Sequence, residues 1–234
     1  MDIQVVILAG GLATRLGELT KNRPKSLIEI LNKPFLEYQL EFLKANGITD
    51  VVLCIGHLGA QIQETFGDGS KYGLHISYSL EETPLGTAGA LKNAGTLLHD
   101  KFFVMYGDSY VFLDFQKIYS WFLSQNKLSL DTVYKNHNSF DKSNTAISGN
   151  LVTKYSKVDQ TKDMVYIDYG VTLYKKEVLE LIPARQKYAL EDVFVRLIEM
   201  KQLLAWDVKE RFYEIGSLQG LHDFEAFAKS KLNK

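Results

Sequence analysis

Cysteine is almost missing from this chain: among 234 residues only Cys54 carries a thiol. That excludes a disulfide within the chain. Cys54 sits in the apolar run Val51-Val52-Leu53-Cys54-Ile55, the setting of a small core residue; a reactive thiol needs an electropositive, partly exposed one. Basic surplus is missing too. Lys plus Arg total 27 and Asp plus Glu total 28, for a net charge of -1, and the cations are scattered, so nothing tracks a nucleic-acid backbone. No apolar stretch approaches the ~20 residues that span a bilayer. The start Met1-Asp2-Ile3-Gln4 lacks the basic and apolar regions of a signal peptide. The expectation is a cytoplasmic protein with no membrane partner. His57, His75, His99, His137 and His222 show no zinc-ligand spacing. Repeats, low-complexity tracts and linkers are absent as well.

What is present is globular. The chain is 46% hydrophobic and 24% charged, long enough to bury a core without staples, and one domain is expected across residues 1–234. Short β-rich runs alternate with helical patterns, which predicts an α/β fold: a Rossmann-like, mixed and mostly parallel sheet flanked by helices. Residues 3–8, 51–55 and 102–106 are continuous apolar runs, as in strands buried on both faces. Residues 75–80 alternate like a strand. Residues 34–46 repeat apolar side chains at helical spacing, with Gln39 as a polar exception, and Gly47 fits the stop. Residues 58–66 predict a short helix ended by Gly67-Asp68-Gly69, and residues 86–98 another. Residues 114–125 read as a helix with Ile118, Trp121 and Phe122 inward. Residues 136–163 are polar and predict loops around one or two short strands. Residues 165–174 read as a strand interrupted by Gly170, and residues 190–200 and 217–231 as closing helices.

The informative segment is Leu8-Ala9-Gly10-Gly11-Leu12-Ala13-Thr14-Arg15-Leu16, followed by Pro24-Lys25. A buried strand ends in two glycines, whose backbone N–H groups can approach a ligand closely. An arginine follows, and a lysine returns after an excursion. Backbone amides, a forked guanidinium and an ammonium are what a triphosphate needs, and the carboxyl ends of such strands are where ligands sit. Neither G-x-x-x-x-G-K-[ST] nor G-x-G-x-x-G fits. Asp108 follows the strand at 102–106, so its carboxylate is expected at the same edge, where Mg²⁺ takes one or two carboxylates completed by phosphate oxygens and water. Gly107-Asp108-Ser109 is not a hydrolase nucleophile elbow.

Residues 8–16 with Pro24-Lys25-Ser26-Leu27 resemble the signature of the sugar-phosphate nucleotidyltransferase family, GGxGTRL followed by PKxL, with Ala13 in place of the third glycine. Lys33-Pro34-Phe35-Leu36-Glu37 resembles the family's KPxLE helix start. Pro84-Leu85-Gly86-Thr87-Ala88-Gly89-Ala90 is similar to its nucleotide-contacting loop, Gly107-Asp108 to its metal-site GD, and Glu214-Ile215-Gly216-Ser217 to its D-[IV]-G-T. The similarity spans roughly residues 1–228, and the length resembles that of the short bacterial members, such as heptose-1-phosphate guanylyltransferases and muramate-recycling uridylyltransferases.

The resemblance implies transfer of a nucleotidyl group from a nucleoside triphosphate to a sugar 1-phosphate, with residues 1–113 as the nucleotide half and 114–234 as the sugar-phosphate half. Leu8, Ala9, Gly10, Gly11, Ala13, Thr14, Pro84, Gly86 and Thr87 would line the nucleotide site. Arg15 and Lys25 would be the catalytic cations, with Arg15 on the β- and γ-phosphates. Asp108 and Glu214 would hold Mg²⁺, Glu214 standing where the family has aspartate. Gly107, Lys157, Asp168 and Gly170 would face the sugar phosphate. There the pattern departs: Ser156 replaces the glutamate of E-K-P, and Asp168 the asparagine of N-x-G, so an unusual sugar or cyclitol phosphate is expected.

Glu81 lies five residues before Gly86, where thymidylyl and uridylyl enzymes often carry glutamine. A carboxylate only accepts, and guanine offers adjacent N1–H and N2–H donors. GTP is therefore favoured. UTP, CTP or dTTP stay open, because Glu82 is adjacent and some uridylyl relatives also carry glutamate nearby. A metal-dependent glycosyltransferase would show D-x-D, and Gly107-Asp108-Ser109-Tyr110 has one acid. A non-catalytic nucleotide or sugar-phosphate sensor is the other alternative; intact Arg15, Lys25 and Asp108 argue against it. The oligomeric state is left open, a homo-oligomer included.

Overall fold

In the computed structural model, residues 3–11 and 14–232 are described. The backbone of Thr14 and Arg15 belongs to them, but their side chains do not. Nine strands form the main sheet: β1 Gln4–Leu8, β2 Asp50–Ile55, β3 His75–Leu80, β4 Lys101–Tyr106, β5 Ser129–Lys135, β6 Thr145–Ser148, β7 Leu151–Tyr155, β8 Tyr166–Lys175 and β9 Leu203–Val208. Their spatial order is β3-β2-β1-β4-β8-β5-β9-β7-β6. The first four are mutually parallel. β8 then joins antiparallel to β4 and β5, and β9 runs parallel to β5. The family-like α/β sheet is thus parallel at one end and mixed at the other.

The buried strands alternate their side chains across the sheet. Val5, Ile7, Leu53 and Phe103 face a core shared with three helices: α1 (Phe35–Ala45), α2 (Gly59–Phe66) and α4 (Phe115–Leu123). Val6, Val52, Phe102 and Val104 face the other side, covered by α3 (Gly86–Asn93) and α5 (Leu190–Glu199). A third, largely aromatic cluster joins Phe35 and Tyr38 of α1 to Phe224 of α6 (Leu218–Lys231), with the Phe35 and Phe224 rings edge to face at 5.0 Å. Among the described residues no helix is long and apolar enough to cross a membrane.

Most predicted spans appear within a residue or two, including the Gly47 stop at φ 75°. Residues 86–98 divide instead: α3 ends at Asn93 and a separate 3-10 turn covers Gly95–Leu97. Trp121 is half-buried and packs edge to face on Trp206 at 5.3 Å. Two sheet strands, β5 and β9, have no counterpart among the expectations.

The reason in β5 is buried polarity. Ser129, Asp131 and Thr132 are fully buried, yet each makes a hydrogen bond to β8. Ser129 Oγ donates to Leu173 O (3.1 Å) and Thr132 Oγ1 to Val171 O (2.6 Å), while Asp131 Oδ1 accepts from Thr172 Oγ1 (3.0 Å). A strand bonded this way shows neither alternation nor an apolar run. Burial drives the Asp131 carboxyl well above the ordinary carboxylate range; Asp168 adds to the rise and Thr172 opposes it. The folded chain therefore holds a proton that the unfolded chain releases. That stability is full below the ordinary aspartate pKa and declines as pH rises above it. Asp131→Asn removes the titration. Urea unfolding at pH 4, 6 and 8 should show the variant gaining on the wild type as pH rises; a pH-independent difference would contradict the assignment.

Candidate active site

Chain order reverses across β1: β2 and β3 lie to one side of it and β4 to the other. In such sheets the crevice outside the carboxyl ends at this switch point is the natural ligand site. A cavity of about 280 Å³ lies there. Its floor is the turn Leu8-Ala9-Gly10-Gly11, with Tyr106-Gly107-Asp108 on one wall and Glu81, Pro84, Gly86 and Thr87 on the other. Backbone contacts hold the parts together: Gly107 N donates to Leu8 O at 3.1 Å and Ala9 N to Cys54 O at 2.8 Å.

Lys25 begins a one-turn helix, Lys25–Leu27, after the extended Pro24. Its ammonium meets Asp108 Oδ2 at 2.7 Å, with the two side chains 14% and 32% exposed. The predicted phosphate lysine and metal carboxylate are therefore direct partners on the cavity wall. The 106–109 segment is braced from behind by Gln39, the polar exception on α1. Fully buried, it donates to Tyr106 O (3.0 Å) and Ser109 O (2.7 Å).

Glu81 reaches back across the cleft. A Cβ at Gly10 would lie 2.8 Å from Glu81 Oε1, and one at Gly56 at the same distance, so both glycines make room for this carboxylate. Oε2 accepts from Leu85 N at 3.1 Å. Burial raises the Glu81 pKa, and the Leu85 hydrogen bond offsets part of the rise. Glu82 is exposed and does not line the cavity. Thr87 lines it, but its hydroxyl accepts from Leu190 N (2.8 Å) and so tethers α5.

Of the residues predicted on the sugar side, Gly107 lines this cavity, whereas Lys157, Asp168 and Gly170 stand apart from its lining. Lys157 Nζ pairs with Glu191 at 2.6 Å and lies 5.8 Å from the Tyr106 ring centroid. Burial works against the Lys157 charge, but Glu191, Asp168 and Asp108 outweigh it and raise the pKa. Asp168 is buried and turned into the sheet, where Oδ1 accepts from Gly170 N (2.7 Å) and Oδ2 from Tyr155 Oη (3.4 Å). Gly170 takes φ 87° where the β8 register shifts. Glu214 is brought beside Asp108 by backbone, since it pairs with Ser109 and Ile215 N donates to Asp108 O at 2.9 Å. Its carboxylate, however, accepts from Gly216 N and from Ser217 Oγ (2.8 Å), which caps α6. Ala13 lies outside the described residues, as do the side chains of Thr14 and Arg15.

Other positions line the cavity without having been singled out: Ser26 and Ala90 lie within the quoted motifs, whereas Cys54, Tyr106 and Lys187 carry none, and neither does Glu191, the partner of Lys157. Cys54 is inert there, since burial pushes its thiol up to about 12. Lys187 has no sequence neighbour that marks it.

The Nucleotidyl transferase family model matches residues 4–231. The chain belongs to that family. The resemblance to the sugar-phosphate nucleotidyltransferases is thereby borne out, and with it an enzyme. The chain is 30% identical over 224 residues to the D-glycero-alpha-D-manno-heptose 1-phosphate guanylyltransferase of Campylobacter jejuni, covering 95% of this chain and 98% of that one. It is 29% identical over 217 residues to the UTP–glucose-1-phosphate uridylyltransferase of Synechocystis, covering 84% of this chain and 55% of that one. Among solved structures, HddC from Yersinia pseudotuberculosis complexed with GMP-PN superposes with a TM-score of 0.74 at 26% identity, covering 94% of this chain and 97% of that one.

Gln39 offers a test of how the site is supported. Gln39→Met keeps volume but strips two buried carbonyls of their donor, a cost of about 1–3 kcal/mol. The urea midpoint should fall accordingly, and kcat should fall with it because the Asp108 turn loosens. Unchanged stability and rate would show that the amide braces nothing.

Proposed function

We propose that this enzyme transfers the guanylyl group of GTP to a sugar 1-phosphate, forming a nucleotide-sugar and pyrophosphate. The observation that carries the base is Glu81. One carboxylate oxygen is committed to Leu85 N, and the other lies against Gly10 and Gly56 in a side chain that lines the cleft, where it would accept from guanine N1–H and N2–H. The likeness to a guanylyltransferase, and to HddC complexed with GMP-PN, supports the same reading.

The chemistry follows from charge placement. A phosphate oxygen of the sugar 1-phosphate attacks the α-phosphorus, the bond to the bridging oxygen breaks, and pyrophosphate leaves with that electron pair. The nucleophile is already anionic, so no general base is needed. Positioning and charge neutralisation supply the rate. The Gly10-Gly11 backbone and Arg15 hold the β- and γ-phosphates. Lys25 exchanges Asp108 for the α-phosphoryl and the incoming phosphate. Asp108, a carboxylate on the cavity wall at the phosphate end, suits Mg²⁺, which takes few protein ligands and completes its shell with phosphate oxygens and water. That ion would neutralise charge on the α-phosphoryl and leaving group. Glu214 would join it only by turning away from Ser217. On the sugar side Lys157 meets the sugar phosphate, and Ser156 and Asp168 in place of the family's glutamate and asparagine favour an unusual sugar or cyclitol.

Equimolar GTP, UTP, CTP and dTTP in competition, with a panel of sugar 1-phosphates, tests the base. GTP should dominate, and Glu81→Gln should cut its kcat/KM roughly tenfold to a hundredfold, the worth of a charged hydrogen bond. A pyrimidine preference in the wild type would refute the guanine reading. Because the ionised Glu81 carboxylate is the stronger acceptor, with no O–H to oppose the guanine donors, and its pKa is raised, GTP use should fall on acidification from a pH above the ordinary glutamate value. Glu81→Gln should lose that limb of the profile, and its persistence would assign it elsewhere.

Lys25→Ala should remove most turnover in protein that still folds, a loss larger than any fall in stability from leaving Asp108 unpaired, since a transition-state cation is lost. Wild-type rates in that variant would show that Lys25 does not act on the reacting phosphates.

A further inference from the structure

Among the described side chains, four charged ones line the cleft: Lys25, Glu81, Asp108 and Lys187. Lys25 and Asp108 are spent on each other at 2.7 Å. Glu81 Oε1 has no hydrogen-bond partner among the described residues. Lys187 has no hydrogen-bond or ion-pair partner among the described residues.

Its position is set by the stretch leading into α5, which is tied across the turn at residues 85–89. Tyr188 N donates to Leu85 O (2.8 Å), and Tyr188 O accepts from Ala88 N (3.1 Å) and Gly89 N (3.2 Å). A Cβ at Gly86 would lie 2.7 Å from Tyr188 O and 3.4 Å from Lys187 Cγ. The Lys187 stem therefore runs along Gly86, on the wall that Glu81 holds through Leu85 N. The free ammonium belongs to the end of the cleft with Glu81, and the phosphate end has its own cation in Lys25.

We infer that Lys187 reads the nucleobase, donating to the carbonyl oxygen beside the ring N–H that Glu81 accepts. Guanine presents O6 next to N1–H, and uracil presents O4 next to N3–H. Adenine and cytosine reverse the order, with an amino donor next to a ring acceptor. Against those bases the ammonium would face an amino group and the carboxylate a lone pair. Lys187 is thus a specificity residue for keto over amino bases. The inference rests on the reading that the base lies against Glu81, and not on guanine over uracil.

The test is the equilibrium affinity of GTP, UTP, ATP and CTP, each with Mg²⁺, for the wild type, Lys187→Met and Lys187→Arg, by titration calorimetry. Lys187 is exposed, so the variants should fold, and thermal melts check that. Wild type should bind GTP and UTP more tightly than ATP and CTP. Lys187→Met should weaken GTP and UTP about tenfold to a hundredfold and ATP and CTP by less than about threefold. Lys187→Arg should keep the order. Equal weakening of all four would make Lys187 a phosphate contact and overturn the inference, as would no weakening or no keto preference in the wild type. A wild type that binds UTP above GTP, with the keto preference lost in Lys187→Met, would refute the guanine reading and leave this one standing.

Discussion

The carboxyl ends of β1 and β4 are held so close that position 107 has no room for a side chain. Gly107 N bonds Leu8 O, and a Cβ at Gly107 would stand 2.6 Å from that oxygen and 3.1 Å from Ala9 Cα. Two turns that chemistry needs together are thereby fused: the Gly10-Gly11 turn after β1 and the Asp108 turn after β4. Gln39 locks the second from behind, and β1 is parallel to its neighbours on both sides. Lys25 can then reach Asp108 only because the fused edge fixes where that carboxylate stands.

Charge across the cleft is organised in two pairs of opposite sign. At the phosphate end Lys25 and Asp108 neutralise one another, which makes a partly buried ammonium and carboxylate tolerable before ligands arrive. At the proposed base end Glu81 and Lys187 are separate, and a base with complementary edges would link them. The half of the chain after residue 113 uses a different device. Lys157 is held by Glu191 from α5, a carboxylate from another element beside the position where Ser156 leaves none. The Asp168 carboxyl is committed to Gly170 and Tyr155, and it orders β8 at the bend that passes Tyr106 and Ser109.

The nucleotide half was legible because its physics is local. Strands buried on both faces write themselves as apolar runs, and the glycines, Lys25 and Asp108 follow strand ends or a proline at short range. The mixed half hides its strands. In β5 three buried polar side chains each bond to β8, some forty residues away, and no window on the sequence contains both. Glu214 illustrates a subtler limit: sequence brought it beside Asp108, but its carboxylate bonds the start of α6 instead. Lys187 was invisible for the same reason as β5, since it meets Gly86 across about a hundred residues of chain.

In the proposed reaction one cleft joins a nucleoside triphosphate to a sugar phosphate. The decisive measurement is pyrophosphate release with GTP and Mg²⁺ in the presence and absence of each of a panel of sugar 1-phosphates. Pyrophosphate is expected only when an accepted sugar 1-phosphate is present, in equal amount to the nucleotide-sugar formed. Triphosphate breakdown at the same rate without any sugar phosphate would contradict it.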